Sequence, residues 1–203
     1  MEGIVIELEK EALDENVNVE TLLRKAYLVA RKLKLTEFEE WINNEQNGYK
    51  GKIPDYRMIS GEYRAWNPYR GWIPVILTPE IGEIISRIPL CHSVSALYEI
   101  YVSNDDGVRF TLNAQLNAAL NKSNDGFDTI YSFNSSKSEI YRILSTVRNK
   151  ILEWSLILEE NGIIGEGMTF TDEEKKKAQE TRVINNYTNN FYSKVSGVDM
   201  KQG

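Results

Sequence analysis

The apolar residues of the first fifty positions recur every three or four residues, which is the spacing of amphipathic helices. A first helix is predicted over residues 4–14. A second begins after Asn18, and its apolar stripe consists of Leu23, Ala26, Tyr27, Ala30 and Leu33. The capping box of Thr36 and Glu39 predicts a third helix that ends near Gly48. Helices joined by such short connections are expected to be antiparallel neighbours.

The longest apolar repeat lies between residues 136 and 161. Ser136 and Glu139 form a capping box at its start, and Gly162 follows its end. Its apolar residues are Ile140, Leu144, Val147, Ile151, Trp154 and Leu158. At about 1.5 Å per residue the helix would be roughly 39 Å long. The pattern predicts a mainly α fold, a helical bundle-like domain around this long C-terminal helix.

Two regions in the middle of the chain have weaker patterns. Thr78 followed by Pro79 predicts the start of a helix that reaches about Ile88. Between residues 94 and 121 the apolar spacing is mixed. We interpret this stretch as a helix, a small β-hairpin about Asp106-Gly107 and a second helix.

No period holds between Gly48 and Trp72, where four glycines and two prolines interrupt the chain. We therefore predict a long ordered loop, which contains four tyrosines, two tryptophans and three arginines. Its five basic and two acidic residues make it a local basic segment. The rings can stack on bases and the arginines can bind phosphate, or both can anchor an irregular loop to the helices. The best ligand-binding candidates are Tyr56, Arg57, Arg64 and Trp66.

The last forty residues have a different composition. Thr171 and Glu174 form a third capping box, and the charged helix that follows is expected to be a solvated linker. The remaining sequence is rich in asparagine and in β-favouring residues, which predicts an extended tail. We accordingly divide the chain into a helical domain at 1–165 and a linker helix with tail at 166–203. The tail is a candidate contact for a second copy of the chain or for another protein.

Composition limits the chemistry. The chain has 24 basic and 30 acidic residues, which argues against a surface coated with phosphate-binding charge but leaves room for a local patch. Cys91 is the only cysteine and His92 the only histidine, so no disulfide and no metal site is predicted. Glu39, Glu40 and Glu45 precede the aromatic loop and Asp55 lies in it, so a magnesium site of two or three of these acids is an alternative. The stronger interpretation is that the three glutamates occupy helix caps and solvated faces, where acidic residues are usual.

The sequence does not decide whether the protein is an enzyme. The phosphate-binding glycine motifs of ATPases and dinucleotide enzymes do not occur, so no cofactor is predicted. Arg87 and His92 have the spacing seen in HEPN ribonucleases and form a minor nuclease candidate. Pro89 between them disfavours the helix that such a site needs. The first residues lack the features of a secretory signal and no long apolar run occurs, so we expect a cytoplasmic protein without membrane contact.

Several short motifs resemble the AbiTii domain family. The pattern runs L-L-R-K-A, A-x-x-L, W-I-x-x-E-x-x-G-Y and P-x-Y-R, and it corresponds here to residues 22–26, Ala30 and Leu33, Trp41 to Tyr49, and Pro54 to Arg57. Weaker similarity extends over residues 8–178, and Gln46 departs from the apolar residue usual at its position. The resemblance implies a mainly helical bacterial domain from anti-phage gene neighbourhoods, acting as an abortive-infection effector. It implies no catalytic residues.

Two functional hypotheses follow. The first is a bacterial defence effector that binds nucleic acid or a nucleotide through its Tyr/Trp/Arg loop. The alternative is a non-enzymatic helical module for protein interaction or oligomerisation, with the Asn-rich tail adding a strand to a partner.

Overall fold

The computed structural model describes residues 2–76, 86–122 and 128–191. Within these ranges the chain is mainly α with a small antiparallel sheet, so the mainly α part of the predicted fold class is confirmed. The helices are α1 (Ile4–Leu13), α2 (Val19–Leu33), α3 (Thr36–Asn47), α4 (Val94–Val102), α5 (Ala114–Lys122), α6 (Lys137–Glu160), α7 (Asp172–Glu180) and α8 (Arg182–Asn185). The strands are β1 (Met58–Ser60), β2 (Glu62–Asn67), β3 (Gly71–Pro74), β4 (Arg87–Pro89), β5 (Val108–Thr111) and β6 (Tyr131–Ser135). Short 3-10 turns lie at Asp55–Arg57 and Tyr187–Phe191.

The chain divides into two compact units. The helical unit consists of Met1–Arg57, Cys91–Ser95 and Leu144–Gly203, and the sheet unit consists of Met58–Leu90 and Ala96–Ile143. The division of the chain at residue 165 stays a prediction.

Helix α2 shows how local sequence sets the helical unit. The Asn18 side chain accepts a hydrogen bond from the Glu20 N–H at 2.7 Å and caps the first turn. Lys34 adopts a left-handed conformation with φ 60° and ends the helix. The predicted apolar stripe is largely buried, with Leu23, Ala26, Ala30 and Leu33 fully inside and Tyr27 half-buried.

The core of this unit is aromatic. The rings of Phe38 and Trp154 stack with centroids 3.9 Å apart, and Trp41 lies 5.0 Å from Phe38. The predicted capping box at Thr36 is wrong, because Leu35 occupies the cap position without a side-chain bond. Glu39 is instead buried and accepts a hydrogen bond from Arg31 at 3.0 Å.

The long helix α6 has 24 residues, close to the predicted range. Its apolar repeat is buried throughout: Ile140, Leu144, Val147, Ile151, Trp154 and Leu158. Residues up to Ile143 belong to the sheet unit and those from Leu144 to the helical unit. A bundle arranged around this helix stays a prediction.

Two expectations for the C-terminal region are wrong. Helix α7 forms the predicted capping box of Thr171 and Glu174, but it is not a solvated linker. Ala178 is fully buried, and the Gln179 amide donates to the Leu33 carbonyl at 3.2 Å. Residues 182–191 are helical rather than extended, because burial of Ile184 and Phe191 outweighs the low helix propensity of the asparagines. The rest of the predicted tail, 192–203, lies outside the described residues.

The sheet unit contains a four-stranded antiparallel sheet in the order β3-β2-β6-β5, and β1 pairs with β4. The predicted loop at 48–72 is therefore wrong from Met58 onward, where most residues form strands. Strand β2 pairs with β6, so residues about 70 positions apart are neighbours. Such a partner supplies the hydrogen bonds that local sequence does not reveal.

In the middle of the chain, the predicted hairpin and the predicted end of one helix are wrong. Residues 94–102 are helical and β5 pairs with β6, so the hairpin predicted about Asp106-Gly107 does not form. The helix predicted after Thr78 falls mostly outside the described residues, and it does not reach Ile88, which lies in β4. The predicted second helix of this region is present as α5. In the part of the chain that the structure describes, no helix has the length and apolarity to cross a membrane.

Candidate nucleic-acid interface

The structure separates the four ligand-binding candidates into two pairs. Tyr56 and Arg57 lie in the helical unit, in the 3-10 turn Asp55–Arg57. Arg64 and Trp66 lie on strand β2 of the sheet unit. Arg57 is fully buried, whereas Arg64 and Trp66 are partly exposed.

Arg57 and Glu45 form a fully buried ion pair, since both side chains have 0% exposure. The Arg57 Nη2 donates to Glu45 Oε2, and its Nε lies 3.3 Å from Glu45 Oε1. The third guanidinium nitrogen, Nη1, donates to the backbone carbonyl of His92 at 2.6 Å. The acidic character of Glu45 suggests a solvated position, but the side chain is buried. Its partner arrives from twelve residues further along the chain.

Two tyrosines complete this group, which we call the Glu45 cluster and define as Trp41, Glu45, Tyr49, Tyr56 and Arg57. The Tyr49 hydroxyl donates to Glu45 Oε1 at 2.6 Å, and the Tyr56 hydroxyl donates to the same oxygen. Tyr56 in turn accepts a hydrogen bond from Trp41 Nε1 at 2.9 Å. Burial, followed by the charge of Glu45, raises the pKa of both phenols well above its usual range. Both therefore remain protonated donors.

The local sequence explains how the cluster closes. Trp41 and Glu45 are four residues apart on α3 and so project from one face. Gly48 then reverses the chain with φ +87°, and a Cβ there would lie 2.8 Å from the Cys91 carbonyl. The Tyr49 N–H donates to that same carbonyl at 2.8 Å. Glycine is required at 48 because a larger residue would be strained and would collide with backbone.

A lysine lies at the edge of the cluster. The Nζ of Lys150 is 5.2 Å from the Tyr56 ring centroid and 3.6 Å from that of Phe191. Burial lowers the pKa of Lys150, and the charges of Glu153 and Glu45 oppose the shift. Arg57 has no exposed surface from which to contact a ligand. These contacts support the alternative in which the rings and arginines anchor the chain to the helices rather than bind a ligand.

The sheet unit presents the opposite arrangement. Tyr63 on β2 is buried, whereas its neighbours Glu62 and Arg64 point to the other side, where Trp66 is 44% exposed. The register places Trp72 of β3 opposite Trp66, and Asn134 of β6 between Glu62 and Arg109 of β5. We call this surface the open face and define it by six residues: Glu62, Arg64, Trp66, Trp72, Arg109 and Asn134.

The side chains of the open face contact one another. The Trp66 and Trp72 rings meet edge to face, with centroids 5.5 Å apart and planes at 68°. The Arg109 guanidinium carbon lies 4.9 Å from the Trp72 ring centroid, and its Nε donates to Asn134 Oδ1 at 3.2 Å. Arg64 pairs with Glu62 at 2.5 Å, with both side chains more than a third exposed. Aromatic faces and guanidinium groups together suit planar rings and phosphates.

A groove of about 910 Å³ is lined by four residues of the open face, Glu62, Arg64, Arg109 and Asn134. Arg64 and Arg109 line it together with the carboxylates of Asp105, Asp106 and Glu139. Glu139 accepts a hydrogen bond from the Ser60 N–H at 3.2 Å and from Arg142 at 2.9 Å. Burial would raise the pKa of Glu139, but these donors lower it. Within residues 2–76, 86–122 and 128–191, no group of three or more His, Cys, Asp or Glu side chains could hold a metal ion.

The minor nuclease candidates do not share an element. Arg87 is exposed on strand β4 of the sheet unit, and His92 is exposed in the helical unit before α4 begins. The HEPN arrangement needs both residues on helical backbone, which Arg87 does not have.

Sequence reasoning missed Trp72 and Arg109. On either side of the turn N-P-Y-R, Tyr63, Ala65 and Ile73 alternate with Glu62, Arg64, Trp66 and Trp72, which is the alternation expected of a two-stranded hairpin. That signal was present for Trp72. The position of Arg109 depends on pairing with β6 and has no local signal.

Fold and site together define a mainly helical protein in which one aromatic and arginine group is buried and a second lies open on a small sheet. The chain belongs to the AbiTii family, whose model matches residues 3–183. The resemblance found in the sequence is thereby confirmed, and the family name indicates a role in abortive infection, a bacterial defence against phage. Comparisons with curated proteins and with solved structures give no match.

Proposed function

We propose that this AbiTii-family protein is an abortive-infection effector whose open face binds a nucleic acid or a nucleotide. The observation that supports the proposal is the exposure of Trp66 beside Trp72, Arg64 and Arg109 on one side of the sheet. Exposed apolar patches with polar residues around them commonly mark interaction sites. Here the ring is accompanied by a second tryptophan and by two arginines.

The two candidate pairs have different roles. Arg64 and Trp66 contact the ligand, and Tyr56 and Arg57 hold the chain at 48–57 against α3. The ion pair between Arg64 and Glu62 is exposed, so a phosphate can compete with the carboxylate at small cost. No such exchange is available to Arg57, because leaving Glu45 unpaired inside the protein is strongly unfavourable.

The test combines binding, protection and stability. We expect the double variant Arg64→Ala/Trp66→Ala to lose binding of oligonucleotides and nucleotides and to lose protection of bacteria against phage. Its melting temperature should stay within a few degrees. Arg24→Ala is the matched control, since Arg24 is also an exposed arginine paired with a glutamate at 2.5 Å. Full protection and full binding by the double variant would remove the open face from the mechanism.

A second candidate is a helical module that oligomerises without chemistry. It is supported by exposed aromatic residues on α4 and α6, where Tyr98 is 38% and Tyr141 49% exposed and the Tyr101 and Tyr141 rings lie 5.5 Å apart. The sequence of residues 192–203 is a further candidate contact. Light scattering of the full chain, of Tyr98→Ser/Tyr141→Ser and of a chain ending after Phe191 tests it. A monomer in every case contradicts it.

A further inference from the structure

We infer that the ligand of the open face is single-stranded nucleic acid, and that the hairpin β2–β3 presents three rings to it: Trp66, Tyr69 and Trp72. The inference rests on the proposed function and narrows its ligand from nucleotides in general to a strand. It adds Tyr69 and Arg70 to the residues of the open face.

The turn of the hairpin holds Tyr69 away from the body of the sheet unit. The Asn67 side chain accepts hydrogen bonds from the N–H groups of Tyr69 at 2.9 Å and Arg70 at 3.1 Å. Gly71 follows with φ +72°, a conformation that favours glycine. The result is a tyrosine with 95% of its surface exposed and an exposed arginine next to it. Burial within its own unit therefore does not explain this ring.

The end of β2 next to the turn is hydrogen-bonded to residues 129 and 130. The Trp66 N–H donates to the Ile130 carbonyl at 2.9 Å, and the Thr129 hydroxyl donates to the Trp66 carbonyl at 2.6 Å. Strand β2 pairs with both β3 and β6, so Trp66 and Trp72 project from hydrogen-bonded strands. A platform ordered before binding loses less conformational entropy when the ligand arrives.

The angle between the tryptophans favours a strand over a single nucleotide. Planes at 68° cannot enclose one base between two parallel rings, so each ring offers its face to a different base. A mononucleotide has one base and uses one ring, whereas successive bases of a single strand can use several. The bases of a duplex are stacked on one another and do not expose their faces.

The charges favour the same ligand. Arg64, Arg70 and Arg109 lie on or beside the hairpin face, and the Arg109 guanidinium covers one side of the Trp72 ring at 4.9 Å. A base that takes this side of the ring displaces the guanidinium, which can then pair with a phosphate of the same strand. Asp105 and Asp106 line a groove that Arg64 and Arg109 also line, so we place the phosphates on the hairpin side of these arginines, away from the carboxylates.

Tryptophan fluorescence reports on this face directly. Trp41 and Trp154 are fully buried in the helical unit, so quenching by an added ligand reports on Trp66 and Trp72. The full chain is titrated with oligothymidylate of about twelve nucleotides, with ATP and with a duplex of matched length. We expect the single strand to bind at least about tenfold more tightly than ATP or the duplex. With three phosphates neutralised, the logarithm of affinity should fall with the logarithm of salt at a slope of about −2.

Two variants test the rings separately from the fold. Trp72→Ala should weaken single-strand binding by roughly tenfold or more, but it also removes contacts to Trp66 and Arg109. Tyr69→Ala keeps the inference testable if Trp72→Ala misfolds, because a ring with 95% exposure contributes little to folding. It should weaken binding by about fivefold or more. Leu13→Ala, which removes a large apolar side chain with 68% exposure on α1, is the control and should bind as the wild type does.

The outcomes separate the inference from the proposed function. Equal affinity for ATP and the single strand, or unchanged binding by Tyr69→Ala, overturns the inference and leaves a nucleotide-binding effector. Absence of binding to all three probes overturns both. Quenching by phospholipid vesicles without quenching by the single strand also overturns the inference, because the exposed rings then serve a lipid surface.

Discussion

The rings and arginines of the Glu45 cluster and of the open face come largely from one stretch of the chain, Gly48 to Trp72. They nevertheless lie in opposite surroundings. Arg57 is fully buried and makes bonds with a carboxylate and a backbone carbonyl. Arg64 pairs with Glu62, and 39% of its side chain is exposed. The same residue type thus supports the fold in one unit and remains available to a ligand in the other.

Burial alone does not make the cluster stabilising. The cost of removing both charges from water can exceed their attraction, unless hydrogen bonds satisfy the remaining positions. Here both tyrosine hydroxyls donate to Glu45, and Arg57 also donates to the His92 carbonyl. The cluster also coincides with the motifs W-I-x-x-E-x-x-G-Y and P-x-Y-R. We infer that these motifs specify a folded arrangement, and that binding depends on residues outside them.

The comparison is tested most strongly by Arg57→Ala. This change leaves the Glu45 carboxylate buried without its ion-pair partner, which should lower the free energy of unfolding by about 3–5 kcal/mol. Urea denaturation followed by circular dichroism measures the loss. A decrease below about 1 kcal/mol would mean that water reaches Glu45 and that the cluster is not closed.

The control replaces both charges at once. Glu45→Gln/Arg57→Met leaves an amide oxygen to accept from Tyr49 and Tyr56 and places no charge inside the protein. It should cost less than Arg57→Ala alone, because the unpaired charge dominates the single variant.

Removal of one hydroxyl is the next smaller change. Tyr56→Phe leaves the Trp41 indole N–H without its acceptor and takes one donor from Glu45, at an expected cost of about 1–3 kcal/mol. Thermal unfolding detects the difference. Tyr98→Phe, on an exposed ring, should change stability by no more than about 0.5 kcal/mol. Equal effects of the two variants would show that the phenol network is not formed in solution.

Glu174 lies between the two extremes of burial and gives a pH-dependent test. Burial would raise its pKa, but hydrogen bonds from the N–H groups of Gly165 and Thr171 lower it below the ordinary 4.5. A depressed pKa stabilises the fold above the ordinary value, and this contribution is lost as pH falls through the folded pKa. Glu174→Gln should cost about 0.5–2 kcal/mol near neutral pH. The difference from wild type should shrink between about pH 5 and pH 3, and a constant difference would contradict the assignment.

Local periodicity accounts for what sequence predicted well. Helices α2 and α6 were found because their buried residues repeat along one face, and Asn18 and the Thr171–Glu174 box marked helix starts correctly. The sheet was missed because β2 has six residues and its partner β6 follows more than sixty positions later. The burial of Glu45 was missed for the same reason, since only the folded chain brings Arg57 and two hydroxyls to it. Of the predicted site, Arg64 and Trp66 remain candidates, because exposure distinguishes them from Tyr56 and Arg57.

The smallest stability effect is expected for Arg64→Ala, and it completes the comparison with Arg57→Ala. Exposed ion pairs contribute about 0–1 kcal/mol, so the loss of the contact to Glu62 should be near the limit of measurement. Arg24→Ala, which removes an equally short exposed pair, should behave alike in denaturation. The two variants should then differ in single-strand binding, which only Arg64→Ala weakens. If Arg64→Ala instead lowers stability by several kcal/mol, the open face is as structural as the Glu45 cluster, and the contrast between the two units disappears.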